Sequence, residues 1–400
     1  MMLSLASHAT LYESLQQRSK TADEDRQIPQ QISSMIDRVA PPGLPWFRCR
    51  LDGTPSRWCQ PTATVGFSVL VALMFTAPMA TSTPGGERPN IVFIYTDDQA
   101  PTAVGIEGNE QIRTPHMNRL FREGARLADA LVTTPVCSPS RASLTTSRYG
   151  TELGIMDWID PRRESEHGLD PKTITWSEVL AEAGYATGLA GKWHLGTADR
   201  FHPTKTGYQY FVGFRSGGNS PKDPTLELDG KARIFKGLTA DILTDHAIDF
   251  IRRNQQGPFL LSLHFRAPHA RWLPVRDEDW RPYRDLDPRI PNPNFPQLDV
   301  LRVKRMTRKY MASVSSVDRN LGRLLDVIDA AGLKDNTVVI FTSDHGYHLG
   351  HNVVWDKGNA QWQLTRLPPQ RWPHIPPLQR PNLYDQALRV PAAVRCPHVN

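Results

Sequence analysis

The sequence predicts an α/β fold built on a doubly wound, mostly parallel sheet that starts near residue 89. Three observations carry this. The runs at 91–95, 259–265 and 337–342 are predominantly apolar, as parallel strands buried on both faces are. Stretches with apolar residues at helical spacing lie between them. Strand and helix alternate, the order that right-handed crossovers over one sheet require.

Each element has its own warrant. Ile91-Val-Phe-Ile-Tyr95 is the first strand, ending in acids. Residues 114–124 form a helix opened by Thr114-Pro115, a capping residue before a first-turn proline. A helix at 175–183 and a strand at 186–190 follow, then an amphipathic helix at 239–254 and the strand at 259–265. A long helix spans 301–331, with Arg302, Lys304, Arg305, Arg308 and Lys309 forming its solvated face, and the strand at 337–342 comes next. Residues 268–296 and 360–381 are proline-rich loops, of a length that compact domains keep for functional or mobile segments.

Before residue 89 the texture differs. Residues 1–60 balance acids against bases without an apolar period and read as a poorly ordered extension. Between Arg57 and Glu87 there is no charge, and the apolar run at 65–77 is followed by the small residues Ala80-Thr-Ser82. A basic flank, a run of this length and a small-residue site match an export leader at 61–82, which predicts a periplasmic or secreted protein. A spanning helix needs about 20 apolar residues, so a membrane anchor is the alternative, relevant only if the segment stays uncleaved. The run lies well inside the chain, so either the true start is later or the segment is an anchor. Residues 89–400 then form the main folded domain. The 400 residues carry a net charge of +6, which alone suits an anionic substrate and nucleic acid equally well; its dispersal and the lack of a reader motif disfavour nucleic acid. Four scattered cysteines exclude a disulfide scaffold and a zinc ribbon.

In such sheets ligands bind beyond the carboxyl ends of the strands. Two predicted strands end in acids there, at Asp97-Asp98 and at Asp344-His345. Adjacent carboxylates repel unless a cation sits between them. Asp97, Asp98 and Asp344 offer hard oxygens suited to Ca²⁺ or Mg²⁺, while His345 keeps Zn²⁺ or Mn²⁺ open. Cys137, at a loop leading into a helix, reads either as a small buried hydrophobe or as a thiolate favoured by the helix N-terminus and Arg141.

Cys137-Ser-Pro-Ser-Arg141 resembles the first signature of the sulfatase family, of the alkaline phosphatase superfamily, in which a separate enzyme oxidises the cysteine to formylglycine. Gly184-Tyr-Ala-Thr-Gly-Leu-Ala-Gly-Lys192-Trp-His194-Leu-Gly196 is similar to the second signature. Blocks around Thr114, Pro268-His269, Ser343-Asp344-His345-Gly346, Trp355-Asp-Lys357 and Leu388-Arg-Val-Pro391 resemble further family segments, in family order. The resemblance implies one divalent cation, usually calcium, held by Asp97, Asp98, Asp344 and His345, with the modified Cys137 facing it. It implies that Arg141 holds the formylglycine, that Lys192 and Lys357 clamp sulfate oxygens, that His194 is a base and that His269 is the general acid. Partners implied are a sulfated small molecule or polysaccharide and a formylglycine-generating enzyme. His264 reads equally as a satisfied core histidine, and His348 and His351 as loop or rim residues.

The chain departs from the family pattern at Thr145 and Ser147 in the first signature. His351 and Asn352 stand where many relatives have glutamate and histidine, and residues 359–382 are longer than usual. The end at Arg395-Cys-Pro-His-Val-Asn400 predicts that the family's small antiparallel C-terminal subdomain is largely missing. The expected activity is hydrolysis of a sulfate ester. The alternatives are a phosphonate monoester hydrolase or phosphodiesterase of the same superfamily, and a catalytically silent sulfatase-like fragment.

Overall fold

The computed structural model describes residues 88–360, 362–367, 373–376 and 379–397. The expected extension and export leader fall outside the described residues, as does part of the 360–381 loop.

In chain order the strands and helices are β1 (Asn90–Asp97), α1 (Pro115–Glu123), β2 (Ala125–Arg126), α2 (Cys137–Thr146), α3 (Trp176–Glu182), β3 (Ala186–Lys192), β4 (Tyr210–Phe214), β5 (Thr225–Leu228), β6 (Lys231–Ile234), α4 (Thr239–Asn254) and β7 (Phe259–Pro268). There follow α5 (Asp277–Trp280), α6 (Val300–Ala330), β8 (Thr337–Ser343), the short β9 (His348–Leu349), β10 (Val354–Asp356), β11 (Asn359–Ala360), β12 (Trp362–Gln363) and β13 (Arg380–Pro381), then α7 (Asp385–Leu388) and β14 (Ala393–Arg395). Nine strands form one sheet in the order β2-β14-β8-β1-β7-β3-β4-β5-β6. Its middle, β8-β1-β7-β3-β4, is parallel, and antiparallel strands flank it on both sides. The doubly wound, mostly parallel sheet expected from the sequence is therefore present.

Both faces of this sheet carry helices, as parallel strands need. Leu261 and Leu263 of β7 enter a large core with Leu243 and Ile251 of α4 and Val314, Val317 and Leu321 of α6. Leu260, their neighbour in sequence, points to the other face and packs with Ala142, Ile155, Leu189 and Trp193. The β8 strand is less uniform than its apolar run suggests: Val338, Ile340 and Thr342 are half-buried while their alternates are buried. Beside α2 this face opens on a groove of about 530 Å³. No helix of the described residues is long and apolar enough to cross a membrane.

The helix starts are satisfied in different ways. At α3 Thr175 and Glu178 form the reciprocal box, the Glu178 N–H donating to Thr175 Oγ1 at 3.3 Å and the Thr175 N–H to Glu178 Oε2 at 2.9 Å. At α1 the expected cap does not form. Thr114 Oγ1 accepts from the Gly105 N–H instead, and Asp318 of α6 accepts the N–H groups of His116 and Met117 at 3.3 and 2.7 Å.

Candidate active site

Four adjacent parallel strands deliver their carboxyl ends to one place. Asp97 ends β1 and Asp98 follows it, Lys192 ends β3, His269 follows β7, and Asp344 and His345 follow β8. Cys137 enters from the side as the first residue of α2, and Lys357 follows β10. All of these except His269 are buried. The close fit of β3 against β7 needs a residue without a side chain: Gly191 has φ +130°, and a Cβ there would lie 1.8 Å from the His264 carbonyl oxygen. That approach sets the depth of Lys192, the next residue.

Buried carboxylates and ammoniums pair tightly. Lys192 Nζ donates to Asp97 Oδ2 at 2.7 Å and Lys357 Nζ to Asp98 Oδ1 at 2.8 Å. Arg141 donates through Nε and Nη2 to Asp344 Oδ2 at 3.2 and 2.9 Å, and stacks over the Tyr95 ring at 4.9 Å. Cys137 Sγ lies 3.1 Å from Lys357 Nζ, 3.4 Å from His345 Nε2 and 3.5 Å from Asp97 Oδ1. Burial pushes the Cys137 thiol up, but Lys192 and Lys357 outweigh it and bring it down to about 5. Burial likewise opposes ionisation of Asp97 and Asp98. Lys192 nevertheless holds Asp97 well below the usual carboxylate range, and Lys357 lowers Asp98. Asp344 goes the other way, raised to about 7 by burial and by the charge of Asp97.

His345 is the test of a metal. Its Nδ1 faces the Gly346 carbonyl at 2.9 Å, which places a proton there; burial opposes a charge on the ring, but Asp344 outweighs it and raises His345 to about 9, so Nε2 is protonated as well unless an ion takes its lone pair. Yet Nε2 lies 3.3 Å from Asp98 Oδ1 and 3.4 Å from both Asp344 Oδ1 and Cys137 Sγ. A lone pair facing three electron-rich atoms is repulsive, and a single N–H there could not serve all three. A divalent cation satisfies them together. The donor atoms of Asp97, Cys137, Asp344 and His345 all lie within 4.8 Å of one another, so these residues fit such an ion. Asp98 stands one step aside, shared between His345 and Lys357.

The site opens through a cleft of about 590 Å³, into which Cys137, His194, His269 and Lys357 face. Its outer wall was not legible in the sequence: Trp158, Asp160, Arg162, Gly217 and Asn359 line it. Only the charged and aromatic texture of 157–164 could have flagged that segment. His194 is buried with φ +60°, its Nε2 3.2 Å from the Ile159 carbonyl and its Nδ1 without a protein partner. Burial and then Lys192 hold its basicity well below the ordinary value. His269 Nε2 stands 3.8 Å from Asp98 Oδ2, and burial lowers its pKa. His264 is a core residue beneath the site, bonded to the Lys192 carbonyl and held near pKa 3 by burial and Arg141. His348 and His351 do not reach the cleft; His348 is fully buried against Asn382.

A family model, Sulfatase, matches residues 89–397. The chain belongs to the sulfatase family. It is 26% identical to the N-acetylglucosamine-6-O-sulfatase of Bacteroides thetaiotaomicron over 70% of this chain and 62% of that one. It is 28% identical to the steryl-sulfatase of Mus musculus over 76% and 61%. Among solved structures, Ps i-CgsB in complex with k-i-k-neocarrahexaose superposes with a TM-score of 0.61 at 27% identity, covering 78% of this chain and 66% of that one. The phosphonate monoester hydrolase of Agrobacterium radiobacter shares the fold alone, at 17% identity and a TM-score of 0.54, covering 78% of this chain and 68% of that one. The chain spans about three fifths of the length of these curated sulfatases.

Proposed function

We propose that this sulfatase-family chain hydrolyses a sulfate monoester, of a sulfated carbohydrate or an aryl alcohol, using a formylglycine made from Cys137 and one divalent cation. The supporting observation is Cys137 itself, set at the base of an open cleft between two buried ammoniums and a donor cluster that fits a cation. With oxygen in place of the Cys137 sulfur the donors would be mostly oxygen, which favours Ca²⁺ over Mg²⁺, Mn²⁺ or Zn²⁺. Hydrated formylglycine supplies one hydroxyl that attacks sulfur and a second whose deprotonation releases the sulfate. The cation supplies positive charge beside the sulfate oxygens.

The remaining work falls to the chain's own side chains. Negative charge grows on sulfate oxygens and on the departing oxygen, so fixed cations are the dominant aid. Lys192 and Lys357 are held for this by Asp97 and Asp98 rather than pointing freely into the cleft. His194 presents a neutral, lone-pair Nδ1, because Nε2 is taken by the Ile159 carbonyl, and this suits a base. His269, partly exposed at the cleft with Nε2 3.8 Å from Asp98, is the group assigned to hand a proton to a leaving alcohol. Arg141 fixes Asp344 and thereby the donor cluster.

The test is the mass of the peptide bearing Cys137 together with turnover. Formylglycine makes that peptide about 18 Da lighter than its cysteine form. Hydrolysis of nitrophenyl sulfate should fall to background in Cys137→Ala and on chelation. An unmodified thiol after co-expression with a formylglycine-generating enzyme overturns the reading. Faster turnover of a nitrophenyl phosphonate ester replaces it with the phosphonate activity.

A further inference from the structure

The outer wall of the cleft combines two features that no step above uses. Trp158 is 40% exposed and lines the cleft beside charged and polar side chains. Arg162, in the turn that begins at the partly buried Asp160, is exposed on the same rim. Neither is loosely placed. Ile159, between Trp158 and Asp160, is buried and doubly held. Its N–H donates to Ser138 Oγ at 3.0 Å, and its carbonyl holds the catalytic-site histidine His194 at 3.2 Å. The wall is therefore fastened both to the residue after Cys137 and to His194.

The turn that carries Arg162 is braced from within. The Arg162 N–H donates to Asp160 Oδ1 at 3.0 Å, the Asp160 N–H to Glu164 Oε2 at 3.0 Å, and the Glu164 N–H to the Asp160 carbonyl at 2.8 Å. Asp160 Oδ2 lies 3.7 Å from Arg163 Nε. The local carboxylates are thus committed elsewhere, and among the described residues none pairs with the Arg162 guanidinium. Across the cleft Asn359 Nδ2 donates to Asp157 Oδ1 at 3.1 Å, tying the start of this wall to β11. Opposite, Gly217 lets the backbone lie against the His194 ring, where a Cβ would come within 2.6 Å. A flat apolar face and an uncompensated guanidinium on a braced turn thus stand together just outside the reacting centre.

We propose that this wall is a leaving-group subsite for a saccharide that carries a second anionic group, sulfate or carboxylate, near the ester being cleaved. The Trp158 ring takes the C–H face of the sugar, and Arg162 takes the anion in the forked geometry that guanidinium offers. The inference rests on the sulfate-ester reading and deepens it by naming the substrate class.

The matured enzyme is assayed on nitrophenyl sulfate, N-acetylglucosamine 6-sulfate, glucosamine 2,6-disulfate and a 6-sulfated disaccharide containing a uronate. Wild type should favour one of the two doubly charged saccharides over the singly charged one, and which of them it favours identifies the second group as sulfate or carboxylate. Arg162→Ala should lower that preference on the order of tenfold, through KM more than kcat, as loss of a charge-assisted hydrogen bond implies. Arg162→Lys should restore part of it. Trp158→Ala should raise KM for every saccharide, with Trp158→Phe intermediate. Turnover of sulfate esters with no preference for the second charge, or a preference that survives Arg162→Ala, overturns the subsite alone. Turnover of no sulfate ester by wild type overturns the parent reading and the subsite with it.

Discussion

Lys192 is an ammonium with no exposed surface, and it is tolerated there because Asp97 lies 2.7 Å away. Removing one member of a buried pair leaves the other charge stranded, at a cost of about 3–5 kcal/mol. Lys192→Ala should therefore melt well below wild type in chelator. Asp97 freed of its lysine is also a better ligand for the proposed cation. Added Ca²⁺ should then raise the melting temperature of the variant more than that of wild type; a ligand at a hundred times its Kd contributes about 2.7 kcal/mol. Equal calcium shifts in both proteins would argue against Asp97 as a ligand. At this scale the acids, Cys137 and the histidines were legible, because strand ends and short motifs fix their neighbourhoods. The partners of Lys192 and Lys357 were not, since no local pattern says which carboxylate a strand-end lysine will meet 95 or 259 residues away. Trp158 and Arg162 escaped for a related reason: they sit in a segment with no period, placed by hydrogen bonds at Ile159, Asp157 and Asp160 that no local pattern announces.

Among the elements, α1 shows how a helix start can be served from a distance. Thr114 has the right chemistry for a cap but is drawn to Gly105 and Asn118, and Asp318 of α6 accepts the free N–H groups instead. Burial pushes the Asp318 carboxyl up to about 7, more than those two N–H donors pull it down. An unfolded aspartic acid ionises near about 3.9. The stability this group contributes is then complete below about pH 4 and is lost as pH rises toward about 7. Asp318→Asn keeps an acceptor for Met117 but cannot titrate. In melts from pH 4 to 8, the stability of wild type relative to this variant should fall with rising pH, by an amount of order a few kcal/mol. A constant difference across that window would refute the assignment. The long strands and helices were readable because their periods run for whole turns or pleats. The edge strands of three to five residues were not, although Asp229-Gly230 between β5 and β6 is a strong hairpin signal, and both residues adopt the left-handed conformation that a tight hairpin turn needs. The half-exposed face of β8 was also hidden, since an apolar run reports burial on average and not which face a neighbour covers.

For the whole molecule, the order of strands in space differs from their order along the chain. β1 pairs with β7 on one side and β8 on the other, so this strand, the first among the described residues, waits for residues 259–268 and 337–343 before either edge is covered. Cys137, 2% exposed in the finished fold, is enclosed by groups from β8 and β10 that come after it. A maturing enzyme could not grip the backbone around a side chain so placed. At about 5–20 residues per second, the ribosome needs roughly 10–40 s to go from residue 137 to residue 343. The proposed conversion of Cys137 therefore belongs to that interval. Purified folded thiol protein should be refused by the formylglycine-generating enzyme, while a peptide of residues 131–147 is converted; rapid conversion of the folded protein would contradict this. The strand order of the sheet thus acts as a clock, and a chemical change at one side chain has to be finished before it runs out.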